Sequence, residues 1–474
     1  MRAWLLTFAA ILAVGSGAGA AEARFQTGFT ESTLPYFDPE DMAAATDHLL
    51  EARASFLRVG VLWADIAPKA PTEVEARDPG WAGYDWRRID AAVRSLRAAG
   101  IWPVLTVERA PAWAEGPEDP GDAAPGSWKP SPRALGDFAT AMATRYSGSY
   151  TPTGGPTLPA VRHYQAWNEP NFPGNLMPQY EERNGRRVSV AASSYRGMLN
   201  AFHDAVKAKS GRNTVLTAAT APFGDYGPMP QRTPPAEFVR KLLCVSGRTK
   251  LAAHRCPGGS PRFDVLATNP FTLGPPGEHY PQRDDVGIAD IARLRKPLAA
   301  AVRAGTLRGG RKQIWATEIG WNTRPPSPRS DDLPLVQQAA YLQESLFRLW
   351  RARVSVTMWW RMRDGVFDDA DFLRVSGVYF MGSSVAADQP KPSLTAFRFP
   401  FVAHRVRRAV ELWGLGPGSR SRVTIERASA GGWKRLATVR TRSGRVFVTK
   451  RVLRPGTVLR ARAAGSVSLE LRVP

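Results

Sequence analysis

At 474 residues, 43% of them hydrophobic, the chain has enough apolar material for one large domain and a smaller one, which excludes a disordered or purely disulfide-stapled polypeptide. The formal net charge of +22 is uneven: residues 405–474 contain 17 Lys/Arg and 3 Asp/Glu, leaving only +8 on the remainder. With two cysteines, Cys244 and Cys256, and only His254 beside them, the chain excludes a zinc-cluster protein; no structural metal and no cofactor are expected.

Arg2, the apolar run Ala3–Val14 and the small residues Ala18-Gly19-Ala20 read as a signal peptide over residues 1–23. The run is short for a bilayer span, and no later apolar stretch is long enough to cross one. The expectation is a secreted or cell-surface protein, in which Cys244 and Cys256 form a local disulfide.

From residue 24 the chain alternates between strand and helix patterns. Arg24–Thr30 reads as a strand, 38–54 as a helix, and Phe56–Trp63 as a strong strand. A helix from Tyr84 to Ala99 carries Ile89, Val93 and Leu96 on one stripe and stops at Gly100; Asp85 is expected to cap its start. Ile101–Glu108 is the third strand. A Pro/Gly-rich loop and a helix over 131–146 lead to His163–Pro170, a strand that ends on Trp-Asn-Glu-Pro. A long polar loop, 171–188, precedes a helix over 191–208. Strands then follow at Thr214–Phe223, Phe263–Phe271, Gln313–Trp321 and Val354–Trp360, with helices near 235–245, 286–304, 333–351 and 393–404. Eight alternations of buried strand and helix imply a (β/α)8 barrel over 24–404. Beyond Arg405, short alternating runs between Gly, Ser and Pro turns imply a small, basic, sandwich-like β domain over 405–474.

The chemistry is carried by two carboxylates. Glu169 and Glu318 each stand where an apolar strand stops, which is the catalytic end of a parallel barrel. Two such carboxyls, roughly 5–5.5 Å apart, are what double-displacement glycoside hydrolysis requires. One must stay protonated near neutral pH and the other ionised, so their surroundings must differ.

Trp167-Asn168-Glu169-Pro170 closing strand four, with Glu318 before Gly320-Trp321 on strand seven, resembles glycoside hydrolase clan A, nearest to families 39 and 5. The resemblance covers about residues 24–404 and implies a retaining glycosidase on a (β/α)8 barrel. It implies Glu169 as acid/base, Glu318 as nucleophile, Asn168 as a donor to the sugar 2-hydroxyl, and Arg58 as the cation beside the nucleophile. It also implies Trp359 or Trp360 as the aromatic beneath the sugar; the two alternate sides, so one faces the cleft. The sequence departs from the clan on strand six, where Thr268-Asn269-Pro270-Phe271 replaces a His-x-Tyr or His-Pro-Tyr pattern, leaving Asn269 to contact a hydroxyl. It departs again on strand three, where Glu108-Arg109 stand in place of a histidine.

Trp63, Trp113 and Trp321 lie at strand ends or loop starts and could serve as sugar platforms or as core. Asp364 reads as a solvated loop acid. The expected function is cleavage of β-glycosidic bonds in a poly- or oligosaccharide. The alternatives are a non-catalytic carbohydrate-binding barrel and a transglycosylase using the same glutamates. The basic C-terminal domain reads either as a solvated surface or as a contact for an anionic cell-surface polymer; nucleic acid does not suit an exported chain.

Overall fold

The computed structural model describes residues 24–367 and 373–474; the expected signal peptide lies outside the described residues. Eight parallel strands close a barrel: β1 Gln26–Thr30, β2 Phe56–Leu62, β3 Trp102–Glu108, β4 His163–Ala166, β5 Thr214–Thr217, β6 Val265–Thr268, β7 Gln313–Ile319 and β8 Val356–Trp360. Each strand pairs with its neighbours in sequence, and β8 closes on β1 with Gln26 opposite Val356. Around them run α1 Pro39–Glu51, α2 Arg87–Ala98, α3 Pro132–Arg145, α4 Ala191–Lys209, α5 Pro235–Leu242, α6 Ala292–Arg303, α7 Leu335–Arg351 and α8 Pro392–Arg398.

Local chemistry sets the helix starts. The Asp38 carboxylate accepts the Asp41 N–H at 2.8 Å and Pro39 opens α1; Ser131 and Pro132 do the same for α3. Each pairing places an acceptor on an orphan N–H and a fixed φ at the first helical position. The apolar stripe of α2, Ile89, Val93 and Leu96, is buried against the barrel.

Strand alternation sorts the barrel into an outer face toward the helices and an inner face toward the axis. On β2, Leu57 and Val59 join the helix-side core, whereas Phe56 joins an interior cluster with Val104, Leu216, Trp315, Val356 and Met358. Phe56 lies 5.1 Å from both the His163 and Trp315 rings. Burial and the nearby Arg97 push His163 down to about 4, so it is neutral packing in this floor. One step up the strands, the inward positions become polar: Arg58, Thr106, Gln165 and Thr317. The site stands directly on the apolar floor.

Several boundaries differ from the sequence expectation. Strand four stops at Ala166 because Trp167 takes φ 77. The loop expected over 171–188 contains a hairpin, Tyr180–Arg183 with Arg186–Ser189, turned at Asn184-Gly185 with φ 51 and 67; Asn-Gly suits two such residues. The last helix, expected to run to His404, ends at Arg398. Pro400 disfavours helix at the residue before it, and Phe399 leaves the helical region at φ -141, ψ 64.

The C-terminal strands are β9 Phe401–Val406, β10 Ala409–Leu415, β11 Arg422–Ser429, β12 Gly432–Arg440, β13 Val446–Arg451 and β14 Val458–Ala463. They form two antiparallel sheets, β9-β10-β13 and one built on β12-β11-β14. Phe401, Leu412, Ile425, Phe447 and Leu459 share the core between them. The Cys244–Cys256 disulfide is formed. The β domain is fixed to the barrel by Trp413, fully buried against Phe347, Trp350 and Phe25 at 5.7, 5.8 and 6.3 Å. Arg445 adds hydrogen bonds to the carbonyls of Arg53 and Arg398 at 3.2 and 2.9 Å. Trp413→Ala should therefore cost about 3–5 kcal/mol, read as a lower urea midpoint; an unchanged midpoint would show that this joint contributes little.

Candidate active site

The site is assembled at the C-terminal end of the barrel around Arg58. Its guanidinium donates to Glu318 Oε1 at 2.6 Å, to Gln165 Oε1 at 2.6 Å and to Asn168 Oδ1 at 2.9 Å. Arg58 is 4% and Glu318 5% exposed, so this ion pair is shielded from water and salt. Gln165 is held in turn: Thr106 Oγ1 donates to its carbonyl at 3.0 Å and its amide donates to the Thr217 carbonyl at 3.0 Å. Four strands thus fix one guanidinium.

Glu169, half-buried, is held separately. Asn269 Nδ2 donates to Glu169 Oε1 at 2.8 Å, and Thr317 Oγ1 donates to Asn269 Oδ1 at 2.8 Å. Asn269 is completely buried. It orients Glu169 and does not offer itself to a sugar hydroxyl, which corrects the sequence reading. Asn168 spends its carbonyl on Arg58, and its side chain also bonds the Glu108 carboxylate.

Backbone geometry aims both glutamates. Regular alternation on β7 would send Thr317 inward and Glu318 away. The β7–β8 register shifts between Ala316 and Ile319, and this irregularity lets both side chains reach the site. Just after β4, Trp167 and Glu169 hold φ 77 and 38. Left-handed conformations of non-glycine residues cost about 1–3 kcal/mol each. The Glu169 N–H to Ala219 carbonyl bond at 2.9 Å and the buried Trp167 indole, donating to the Asn175 carbonyl at 2.8 Å, hold them in place.

A third carboxylate, Glu108 at the end of β3, joins the group. It needs the room that Gly60 leaves on the next strand: a Cβ there would stand 3.0 Å from Glu108 Oε1. Burial raises all three carboxyls. For Glu318, Arg58 opposes the rise while Glu169 and Glu108 reinforce it. For Glu169, the Asn269 amide and Arg58 oppose and Glu108 reinforces. For Glu108, Arg58, Arg109 and Asn168 oppose. Charge on Glu169 therefore disfavours charge on Glu318, and the two carboxyls titrate in dependence on each other. In the sequence Glu108 stands out only as a departure on strand three; the space above Gly60 that its carboxylate occupies is the signal that could have found it.

The tryptophans divide sharply. Trp63 is wholly buried and stacks on Phe138 at 5.4 Å, so it is core. Trp321 and Trp359, 5% and 1% exposed, pack at 6.0 Å and spend their indole N–H groups on the carbonyls of Gly274 and Ser376. These contacts give all three packing roles. Trp113 is partly exposed, but its N–H is tied to the Ala67 carbonyl at 2.8 Å and its ring meets Trp63 edge-on. Trp360 continues the inward row of Val356 and Met358 at the end of β8 and is partly exposed, so of the two strand-eight tryptophans it is the one on the inner face. Asp364 is not a solvated acid. It is 2% exposed and pairs with the buried Lys391 at 2.7 Å, tying down the loop after β8. Asp85 lies at the start of α2, exposed and paired with Arg87 at 2.6 Å.

Removing the Glu108 charge with Glu108→Gln should move the titration of the Glu169/Glu318 pair to lower pH, because a like charge that disfavours ionisation is lost. Carboxyl infrared difference spectra would read this; a shift to higher pH would contradict the arrangement.

No protein-family profile and no curated protein matches the chain. Solved structures do. A family 39 glycoside hydrolase from Bacteroides cellulosilyticus WH2 is similar at TM-score 0.55 and 15% identity, covering 91% of this chain and 82% of that one. A monomeric beta-xylosidase from Caulobacter crescentus CB15 is similar at TM-score 0.52 and 15% identity, over 95% and 96% of the two chains. A glucosidase from Croceicoccus marinus is similar at TM-score 0.51 and 13% identity, over 94% of each. At these identities the likeness is one of fold alone: the closed eight-strand parallel barrel followed by a small β domain.

Proposed function

We propose that this protein is an exported retaining glycosidase that cleaves β-glycosidic bonds of a poly- or oligosaccharide. The observation that carries this reading is the unequal treatment of two carboxyls at one barrel end. Glu318 is buried against a guanidinium at 2.6 Å, whereas Glu169 meets only a neutral amide at 2.8 Å. When the coupled pair holds one proton, the Arg58 contact favours the negative charge on Glu318 and the proton on Glu169.

The reaction then follows in two steps. The Glu318 carboxylate attacks the anomeric carbon as the bond to the leaving oxygen breaks, and Glu169 gives that oxygen its proton. The product is a glycosyl ester on Glu318. In the second step Glu169, now a carboxylate, takes a proton from water. The water oxygen attacks the anomeric carbon, the ester bond breaks and the Glu318 carboxylate returns. Asn168 and Trp360 are the residues that contact sugar in this reading. The altered strand six is compatible with turnover, because Asn269 serves as the orienting partner of Glu169. The partners implied are a carbohydrate substrate and, through the basic C-terminal domain, an anionic polymer at the cell surface.

Aryl β-glycosides of several sugars test this. Glu318→Ala should abolish turnover. Glu169→Ala should lose about 10²–10⁴-fold on substrates with poor leaving groups, much less on activated ones, and recover with azide as a glycosyl azide. Wild type inactive on every sugar, yet still binding them, would leave a sugar-binding barrel instead. The pH dependence has a definite sign. Burial, with the Glu108 charge beside it, raises Glu169, so its proton persists above the ordinary glutamate range. The alkaline limb of kcat/KM should fall where that proton is lost, and Glu108→Gln should move this limb to lower pH.

A further inference from the structure

The strongly basic C-terminal domain does not carry its charge evenly. In the sheet β12-β11-β14, Val423, Ile425, Ala437, Leu459 and Ala461 point inward to the core shared with the other sheet. The alternate positions form the outer face. There Arg422 stands directly opposite Arg440, Thr424 opposite Thr438 and Arg462, and Glu426 opposite Arg435 and Arg460. Five arginines thus share one face with a single carboxylate. Glu426 is already used twice, by Arg460 at 2.7 Å and by Arg462 at 3.7 Å. No carboxylate pairs with Arg422, Arg435 or Arg440 among the described residues.

The pair Arg422/Arg440 is the telling feature. Like charges directly opposite on neighbouring strands destabilise a sheet. Both side chains are exposed, so nothing in the packing requires arginine at either position. The Trp433 ring does not offer a bare aromatic platform, because the Arg460 guanidinium covers it at 4.2 Å. The face is an array of guanidinium groups with threonine side chains between them. Adjacent strands are about 4.8 Å apart, and alternate residues along a strand about 6.8 Å. Guanidinium forks bind carboxylates with two parallel hydrogen bonds.

We infer that this outer face is a binding surface for a linear polysaccharide bearing carboxylate groups, and that it holds the barrel against such a polymer. The choice of a polysaccharide rests on the proposed glycosidase reading; the charge complementarity and the spread of arginines over three strands stand without it. The polymer is the anchor and not necessarily the bond that is cut.

The full-length protein, titrated with polygalacturonate at low and raised salt, tests the inference. Binding should weaken with salt, as for exposed charges, and neutral dextran should not bind. Arg422→Gln with Arg440→Gln should weaken polygalacturonate binding at least tenfold. Arg407→Gln with Arg408→Gln, which removes the same charge from the β9–β10 turn, should change it less than twofold. Equal losses from both double variants would reduce the effect to net charge and overturn the site. Duplex DNA bound as tightly as polygalacturonate, and lost in the same variant, would overturn the choice of ligand.

Relief of the like-charge pair should leave the unfolding midpoint of the first variant unchanged or higher. If it falls, Arg435→Gln alone decides: a loss of about threefold supports the face and no loss rejects it. Aryl-glycoside turnover is the independent arm. Binding without turnover in wild type would reject the glycosidase reading and not this face; turnover without binding would do the reverse.

Discussion

The contact between Arg58 and Glu318 is the interaction on which the site depends. A buried carboxylate without a cation is expensive and takes up a proton. With the guanidinium at 2.6 Å, negative charge is favoured on Glu318. The same guanidinium reaches Gln165 and Asn168, so one side chain from strand two sets the electrostatics and also locks strand four. Breaking a buried pair of this kind leaves an uncompensated charge, which costs more than the pair itself contributes. This is why the supporting shell of Thr106, Gln165 and Thr217 is satisfied bond by bond.

The barrel contributes rigidity below and irregularity above. Phe56, His163 and Trp315 make a packed floor whose inward positions are apolar or neutral. At the level of the site, regular strand geometry is abandoned. The register shift on β7 and the left-handed residues Trp167 and Glu169 each cost stability. They also bring onto one cleft side chains that alternation would separate. Backbone strain concentrated at the ends of catalytic strands is a common feature of functional sites.

Much of this was legible from the residues, and what was not has physical reasons. Buried strands and amphipathic helices obey periods of two and 3.6, so eight alternations marked the barrel. Glu169 and Glu318 were marked by where their strands stop. Periodicity is blind to bulges, and the β7 irregularity that aims Glu318 had no sequence signal. The aromatic residues failed as indicators because tryptophan is equally at home in a core: Trp63, Trp321 and Trp359 are packing, and of the two strand-eight tryptophans Trp360 is the one on the inner face. Asp364 was misread because its partner, Lys391, is distant in sequence. Asn269 looked like a degraded ligand position, yet it proves to be the clamp on Glu169. The hairpin at Asn184-Gly185 was readable and was passed over within a polar loop.

The central claim is that Arg58 makes Glu318, of the three carboxyls, the one that attacks. Mechanism-based labelling with an activated 2-deoxy-2-fluoro β-glycoside of whichever sugar is turned over, followed by peptide mass spectrometry, addresses it directly. The account predicts one glycosyl ester, carried on Glu318 and absent from Glu318→Ala. An ester on Glu108 or Glu169 would contradict it, as would turnover of the parent glycoside with inversion and no covalent adduct.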